Sequence, residues 1–104
     1  MPRFIIIYAR TIKDHLRTID PKYYTLIRIS IEAQLSSEPD VVTRNRKPLK
    51  RQVFFGATWE IRFGPENRFR VYYEINEEQG TVAILAIGIK RGNRVYIGGE
   101  EFEI

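Results

Sequence analysis

The 104-residue sequence predicts an α+β domain: an N-terminal strand, a helical hairpin, then a three- to four-stranded antiparallel sheet, in the order β-α-α-β-β-β. Three observations carry that prediction. A β-branched and aromatic run, Phe4–Tyr8, opens the chain. Apolar residues then recur at helical spacing between Ile12 and Leu35, behind two helix-start signals. From Thr58 onwards apolar and polar residues alternate with the period of a strand, interrupted by two clusters of turn residues.

Phe4-Ile5-Ile6-Ile7-Tyr8 reads as a strand buried on both faces. Thr11 with Asp14 three residues later resembles a capping box, opening a short helix that aligns Ile12, Leu16 and Ile19. Asp20-Pro21 is a second start, with Asp as N-cap and Pro at the first helical position. The helix behind it repeats Tyr23, Ile27, Ile31 and Leu35 at i, i+4 and ends at Ser36-Ser37-Glu38-Pro39. Residues 40–50 read as a polar, basic connection around Pro48. Three strands follow, Thr58–Phe63, Arg68–Ile75 and Thr81–Ile89, separated by Gly64-Pro65-Glu66-Asn67 and Asn76-Glu77-Glu78-Gln79-Gly80. Val53–Phe55 reads as a further short strand or a packed loop, and Arg94–Ile97 as a last edge segment. Gly98-Gly99 and the acids behind it read as a flexible tail.

Composition narrows the chemistry. With no cysteine and one histidine, His15, the sequence excludes disulfides, thiol catalysis, Cys-ligated zinc and iron–sulfur clusters. A Ser-His-Asp or two-histidine mechanism has little to build on, and neither metal nor cofactor is expected. His15 itself falls between core-facing helical positions and reads as half-exposed. The longest apolar run near the N-terminus, Phe4–Tyr8, is too short for a signal-peptide core or a membrane span. A cytoplasmic, membrane-free protein is expected, and the length suits one domain over residues 1–104.

Charge is concentrated. The chain carries 17 Lys and Arg against 13 Asp and Glu, a net +4. Between Val42 and Arg70 stand eight cations, Arg44, Arg46, Lys47, Lys50, Arg51, Arg62, Arg68 and Arg70, against Glu60 and Glu66 alone, a net +6. Such asymmetry implies one positive face, which gains by releasing counterions from a polyanion.

Alternation sets the faces of that region. Trp59, Ile61 and Phe63 share one side with Phe69, Val71, Tyr73 and Ile75; Glu60, Arg62, Arg68, Arg70, Tyr72 and Glu74 take the other. Pairing Phe63 with Phe69 sets Arg62 opposite Arg70 and Glu60 opposite Tyr72, with Ala86 and Gly88 as a shallow floor beside Arg70. Two guanidiniums facing each other across a ladder repel unless an anion bridges them, or unless Glu60 and Glu74 pair with them.

The basic loop Arg44-Asn45-Arg46-Lys47-Pro48-Leu49 is followed by the hairpin from Trp59-Glu60-Ile61-Arg62-Phe63 to Arg68-Phe69-Arg70-Val71-Tyr72-Tyr73-Glu74. Together with Ala86-Ile87-Gly88-Ile89-Lys90-Arg91 and Val95-Tyr96, these segments resemble the RelE/ParE toxin superfamily, in the same order and over nearly the whole chain. The similarity rests on several short motifs rather than one diagnostic box. It implies a toxin of a toxin–antitoxin pair, with a cognate antitoxin as partner. RelE-like members enter the ribosome and cut mRNA there without metal: the RNA 2′-OH attacks the adjacent phosphate, giving a 2′,3′-cyclic phosphate and a 5′-OH. ParE-like members instead inhibit DNA gyrase on the same scaffold.

Carried over by position, the resemblance implies Arg62, Arg70 and Lys90 as the cations that hold the scissile phosphate. Tyr96 would accept the 2′-OH proton, those cations favouring its ionised form. Arg44, Arg46, Lys47, Lys50, Arg51, Arg68 and Arg91 would contact RNA, and Tyr72 would offer a ring for base stacking. Tyr73 is read as core. Glu60 stands where some nuclease members carry a second lysine, which sets it either against full activity or in the role of orienting Arg62.

Overall fold

Five prolines and seven glycines punctuate this chain. In order, the computed structural model, which describes residues 3–50 and 54–102, has β1 (Ile5–Tyr8), α1 (Ile12–Leu16), a 3-10 turn at Pro21–Tyr23, α2 (Tyr24–Leu35) and β2 (Arg46–Pro48). A second 3-10 turn at Phe54–Gly56 leads to β3 (Trp59–Phe63), and a third at Pro65–Asn67 joins it to β4 (Phe69–Asn76). Then come β5 (Thr81–Arg91), β6 (Arg94–Ile97) and β7 (Glu100–Phe102). The α+β class, the helical hairpin and the antiparallel hairpins are as the sequence predicts.

The strands form one sheet in the order β2-β3-β4-β5-β6-β7, antiparallel throughout, with β1 added parallel to β5. Among the described residues that is β1 and six antiparallel strands, where the N-terminal strand and three or four antiparallel strands were expected. The additions, β2 and β7, lie where the sequence reads as loop or tail. Arg46–Pro48 pairs with β3, inside the stretch read as a connection. Gly98 and Gly99, at φ 61° and 85°, form a two-residue turn that pairs Ile97 with Glu100, so the expected tail is a hairpin. Of the Val53–Phe55 segment, Val53 lies outside the described residues, and Phe54–Gly56 is a 3-10 turn.

The helix starts fall where expected. Asp20 Oδ1 accepts the Lys22 N–H at 3.0 Å, capping the turn that Pro21 opens. Thr11 precedes α1 but makes no side-chain cap, and Asp14 instead pairs with Arg17 at 3.1 Å. Ile27, Ile31 and Leu35 bury their side chains against Ile61, Phe69, Val71, Ile84 and Ile87 on one face of the sheet. Each such side chain contributes about 1.5–3 kcal/mol when fully buried. Tyr73 belongs to this core, its hydroxyl donating to Pro39 O at 2.7 Å. Gly64 has no tolerance for a side chain: at φ +85° a Cβ would lie 2.5 Å from the Phe69 ring.

β1 departs from its expected burial. Ile6 packs towards the core, but Ile5 and Ile7 are 65% and 49% exposed, because β1 lies at the sheet edge and, among the described residues, its second face is left uncovered. β1 and β6 share one side of β5, pairing with residues 81–84 and 88–91 and leaving a gap between. His15 fills the gap: its Nδ1 accepts the Ile87 N–H at 3.2 Å, and it is buried rather than half-exposed. Burial lowers its pKa below the ordinary 6.5, so the neutral ring that can accept this bond is favoured.

Candidate nucleic-acid interface

The hairpin register brings the candidate cations together as alternation dictates. Arg62 stands opposite Arg70, Glu60 opposite Tyr72, and Phe63 opposite Phe69. Across the next ladder Arg70 meets Gly88 and Tyr72 meets Ala86. Lys47 of β2 stands across from Glu60. Lys90, two residues beyond Gly88, continues the same face and is exposed.

This face is not an open floor. Val95 and Ile97 fold their side chains over Gly88, where a Cβ would lie 2.9 Å from Ile97 Cγ1, and a second small core forms from Ala57, Tyr72, Ala86, Val95 and Ile97. Beneath it Arg70 is 8% exposed and Glu60 2%, joined by an ion pair of 3.4 Å. Arg70 Nε has no acceptor among the described residues. Tyr72 is fully buried, its hydroxyl made less acidic by burial and then by the Glu60 charge. A buried ring offers no face to a base, so the expected stacking role of Tyr72 is corrected.

Arg62 is the accessible guanidinium of the pair. It is half-buried, and its Nη2 donates to Arg44 O at 3.4 Å, a long bond that holds the loop more than it occupies the charge. Arg44, Lys47 and Lys50 are exposed; Arg51 lies outside the described residues. Arg46 is not a surface cation. Paired with Ile61, it points to the helical side, where Nη1 donates to Glu38 O and Val41 O and Nη2 to Gln34 Oε1, and it is 7% exposed. Its expected RNA contact gives way to a structural one, tying β2 to the end of α2.

The four expected catalytic residues do not share one face. Tyr96 pairs with Ile89 and packs on the main core, on the side opposite Arg62 and Arg70. Its ring faces the Arg91 guanidinium at 5.9 Å. Arg68 also leaves its expected face: with helical φ and ψ of −67° and −34° it precedes β4, and its Nη1 reaches the Tyr23 hydroxyl at 3.5 Å. Lys90 lies at the strand end between these two groups of cations. Lys22, which the sequence reading passed over, joins Arg68, Lys90 and Arg91 around a cleft of about 540 Å³. Its only sequence signal was the Asp20-Pro21 turn that fixes it.

No protein-family model and no curated protein matches the chain. Among solved structures it is similar to a chain of the toxin–antitoxin complex RelBE2 from Mycobacterium tuberculosis, with a TM-score of 0.67 and 26% identity, over 85% of this chain and 99% of that one. The resemblance to the RelE/ParE toxin superfamily read from the residues therefore extends to the three-dimensional fold.

Proposed function

We propose that this chain is the toxin of a toxin–antitoxin pair and acts as a ribosome-dependent, metal-independent mRNA endoribonuclease. The observation that carries the reading is Arg62 held directly opposite Arg70 with Lys90 on the same face. Glu60 offsets the charge of Arg70 from beneath, which leaves Arg62 and the exposed Lys90 as the cations that a scissile phosphate would meet on this face. In this mechanism the 2′-OH attacks the neighbouring phosphorus, the bond to the 5′ oxygen breaks, the 2′-OH proton passes through solvent to that leaving oxygen, and a 2′,3′-cyclic phosphate and a 5′-OH result. Arg62 and Lys90 contact the developing negative charge, while Arg70, oriented by Glu60, adds its field from beneath. With Tyr96 on the opposite face, the reading assigns the acceleration to charge stabilisation and to alignment of the strand by the ribosome, not to a phenolate base.

The antitoxin's seat in this reading is a groove of about 600 Å³ between β1, α1 and α2, lined by Ile12, Leu16, Ile27 and Ile31 and rimmed by Arg10, Lys13 and Arg28. An amphipathic segment with acidic flanks matches it. Among the described residues no helix is long and apolar enough to cross a membrane, and the reading takes the site of action to be the cytoplasm.

The buried Glu60–Arg70 pair favours a second reading, a non-nuclease toxin of the ParE type or an inactive nucleic-acid binder, because it spends the charge of Arg70 internally. Induced expression with mapping of mRNA 5′ ends separates the two. Cuts confined to translated mRNA support the nuclease. DNA-damage signalling without new RNA ends supports the alternative.

A further inference from the structure

A cleft between the 3-10 turn at Pro21–Tyr23 and the ends of β4 and β5 joins three cations already expected to meet RNA, Arg68, Lys90 and Arg91, to Lys22, which has no role so far. Four cations converge on it from three segments far apart in sequence: Lys22, Arg68, Lys90 and Arg91. Two carboxylates, Asp20 and Glu66, also line it, which leaves the cleft two cations in excess. Asp20 Oδ1 accepts the Lys22 backbone N–H. Glu66 lies 3.6 Å from Arg68 but is 87% exposed, so water screens that pair. Lys22, Lys90 and Arg91 meet no carboxylate within 4 Å among the described residues.

The cations are also held in position. Lys22 Nζ lies 5.2 Å from the centre of the Tyr23 ring, and Tyr23 in turn packs edge-on against Phe69 at 5.1 Å. Arg68 is steadied by the Tyr23 hydroxyl, and Arg91 by the Tyr96 ring. The two-residue turn at Gly92 and Asn93, with Gly92 at φ +64°, fixes the strand end that carries Lys90 and Arg91. Positive charge gathered on the walls of a concavity focuses its field there and raises the local concentration of anions.

We infer that this cleft binds backbone phosphates of single-stranded RNA at nucleotides outside the scissile position. The inference rests on the nuclease reading for its direction. Lys90 belongs to the face of Arg62 and Arg70 and also lines the cleft, so one strand can pass over the end of β5 from one site to the other. RNA fits better than an acidic peptide because the cleft continues through Lys90 into the face of Arg62 and Arg70, and half-buried Tyr23 sets an aromatic ring among its cations.

The test uses the full chain, a 2′-O-methyl hexauridylate that cannot be cleaved, and inorganic phosphate as a separate probe. Lys22→Ala is expected to weaken oligonucleotide binding three- to tenfold at low salt, roughly the effect of one phosphate contact, and to reduce the slope of log K against log salt by about 0.7. Lys22→Glu should weaken it further. Arg3→Ala, the same loss of charge at the far end of the sheet, should leave affinity within twofold. Amide shifts at Lys22 and Gly92 on adding the oligonucleotide would support the assignment. Unchanged affinity in both Lys22 variants would overturn it, as would shifts produced by inorganic phosphate but not by the oligonucleotide. If Lys22-dependent binding stands while the wild-type chain cuts no mRNA on ribosomes, the nuclease reading fails and the cleft survives.

Discussion

Arg70→Ala removes the guanidinium 3.4 Å from a Glu60 carboxylate that is 2% exposed. At an effective dielectric of 20, unit charges at that distance attract by about 5 kcal/mol. The desolvation of both groups offsets most of this, so the pair as a whole contributes little net stability. Removing one partner is different, because the remaining carboxylate stays buried beside the Tyr72 hydroxyl without its counter-charge. The expected cost is about 3–5 kcal/mol, a large share of the roughly 5–15 kcal/mol that holds a typical domain. Replacing both residues, as in Glu60→Leu with Arg70→Met, should recover most of that loss. Urea unfolding of the wild type, the two single variants and the double variant closes the cycle. With a urea slope of about 1–3 kcal/mol per molar, the single variant shifts the midpoint by one molar or more. An Arg70→Ala cost below about 1 kcal/mol would refute this account of the pair. One consequence is practical: loss of toxicity in Arg70→Ala reports stability before it reports chemistry.

Three further outcomes follow from particular contacts. Because the folded pKa of His15 is depressed, stability is full above about pH 6.5 and falls as pH drops from there to the folded value, below which the loss levels off; His15→Phe should flatten that dependence in unfolding measured against pH. Arg46→Ala should cost about 2–3 kcal/mol by releasing the carbonyls of Glu38 and Val41, read as a lowered midpoint in denaturant. Gly88→Ala should cost about 1–3 kcal/mol, since its methyl would meet Ile97 Cγ1, Val95 Cγ1 and Tyr96 O at 2.9, 3.0 and 3.1 Å.

What the residues made legible was governed by periodicity. The β3–β4 register followed from placing Phe63 against Phe69, because a slip of one would have turned every core residue outwards. The helix starts followed from Asp20-Pro21 and the i, i+4 spacing behind it. Three features were hidden for a common reason, that long-range packing rather than local pattern creates them. Arg46–Pro48 carries only three residues of strand, too few to show alternation, so the burial of Arg46 was invisible. Gly98-Gly99 is as consistent with a tail as with a turn until β7 pairs with β6. His15 shows nothing of the gap in β5 that it fills, because that gap depends on where β1 stops and β6 begins. The candidate site was legible in its central pair, in Ala86 and Gly88 beside Arg70 and in Lys90 at the strand end, and not beyond them. Arg62 and Arg70 lie as alternation requires, but the split of Tyr96 and Arg68 to the other side depends on the β5–β6 register and on the helical backbone of Arg68.

The central claim concerns Arg62, the accessible member of the facing pair, whose removal leaves no buried charge behind. The direct measurement is single-turnover cleavage of mRNA on programmed ribosomes, with toxin binding followed separately and the product ends identified. Arg62→Ala should bind ribosomes within a few-fold of wild type, yet cut about a hundredfold more slowly or worse, the loss expected when one contact to transition-state charge is removed. The wild-type product should carry a 2′,3′-cyclic phosphate. Cleavage by Arg62→Ala at the wild-type rate once bound, or no cleavage by the wild type, would contradict the claim that this face is a nuclease site.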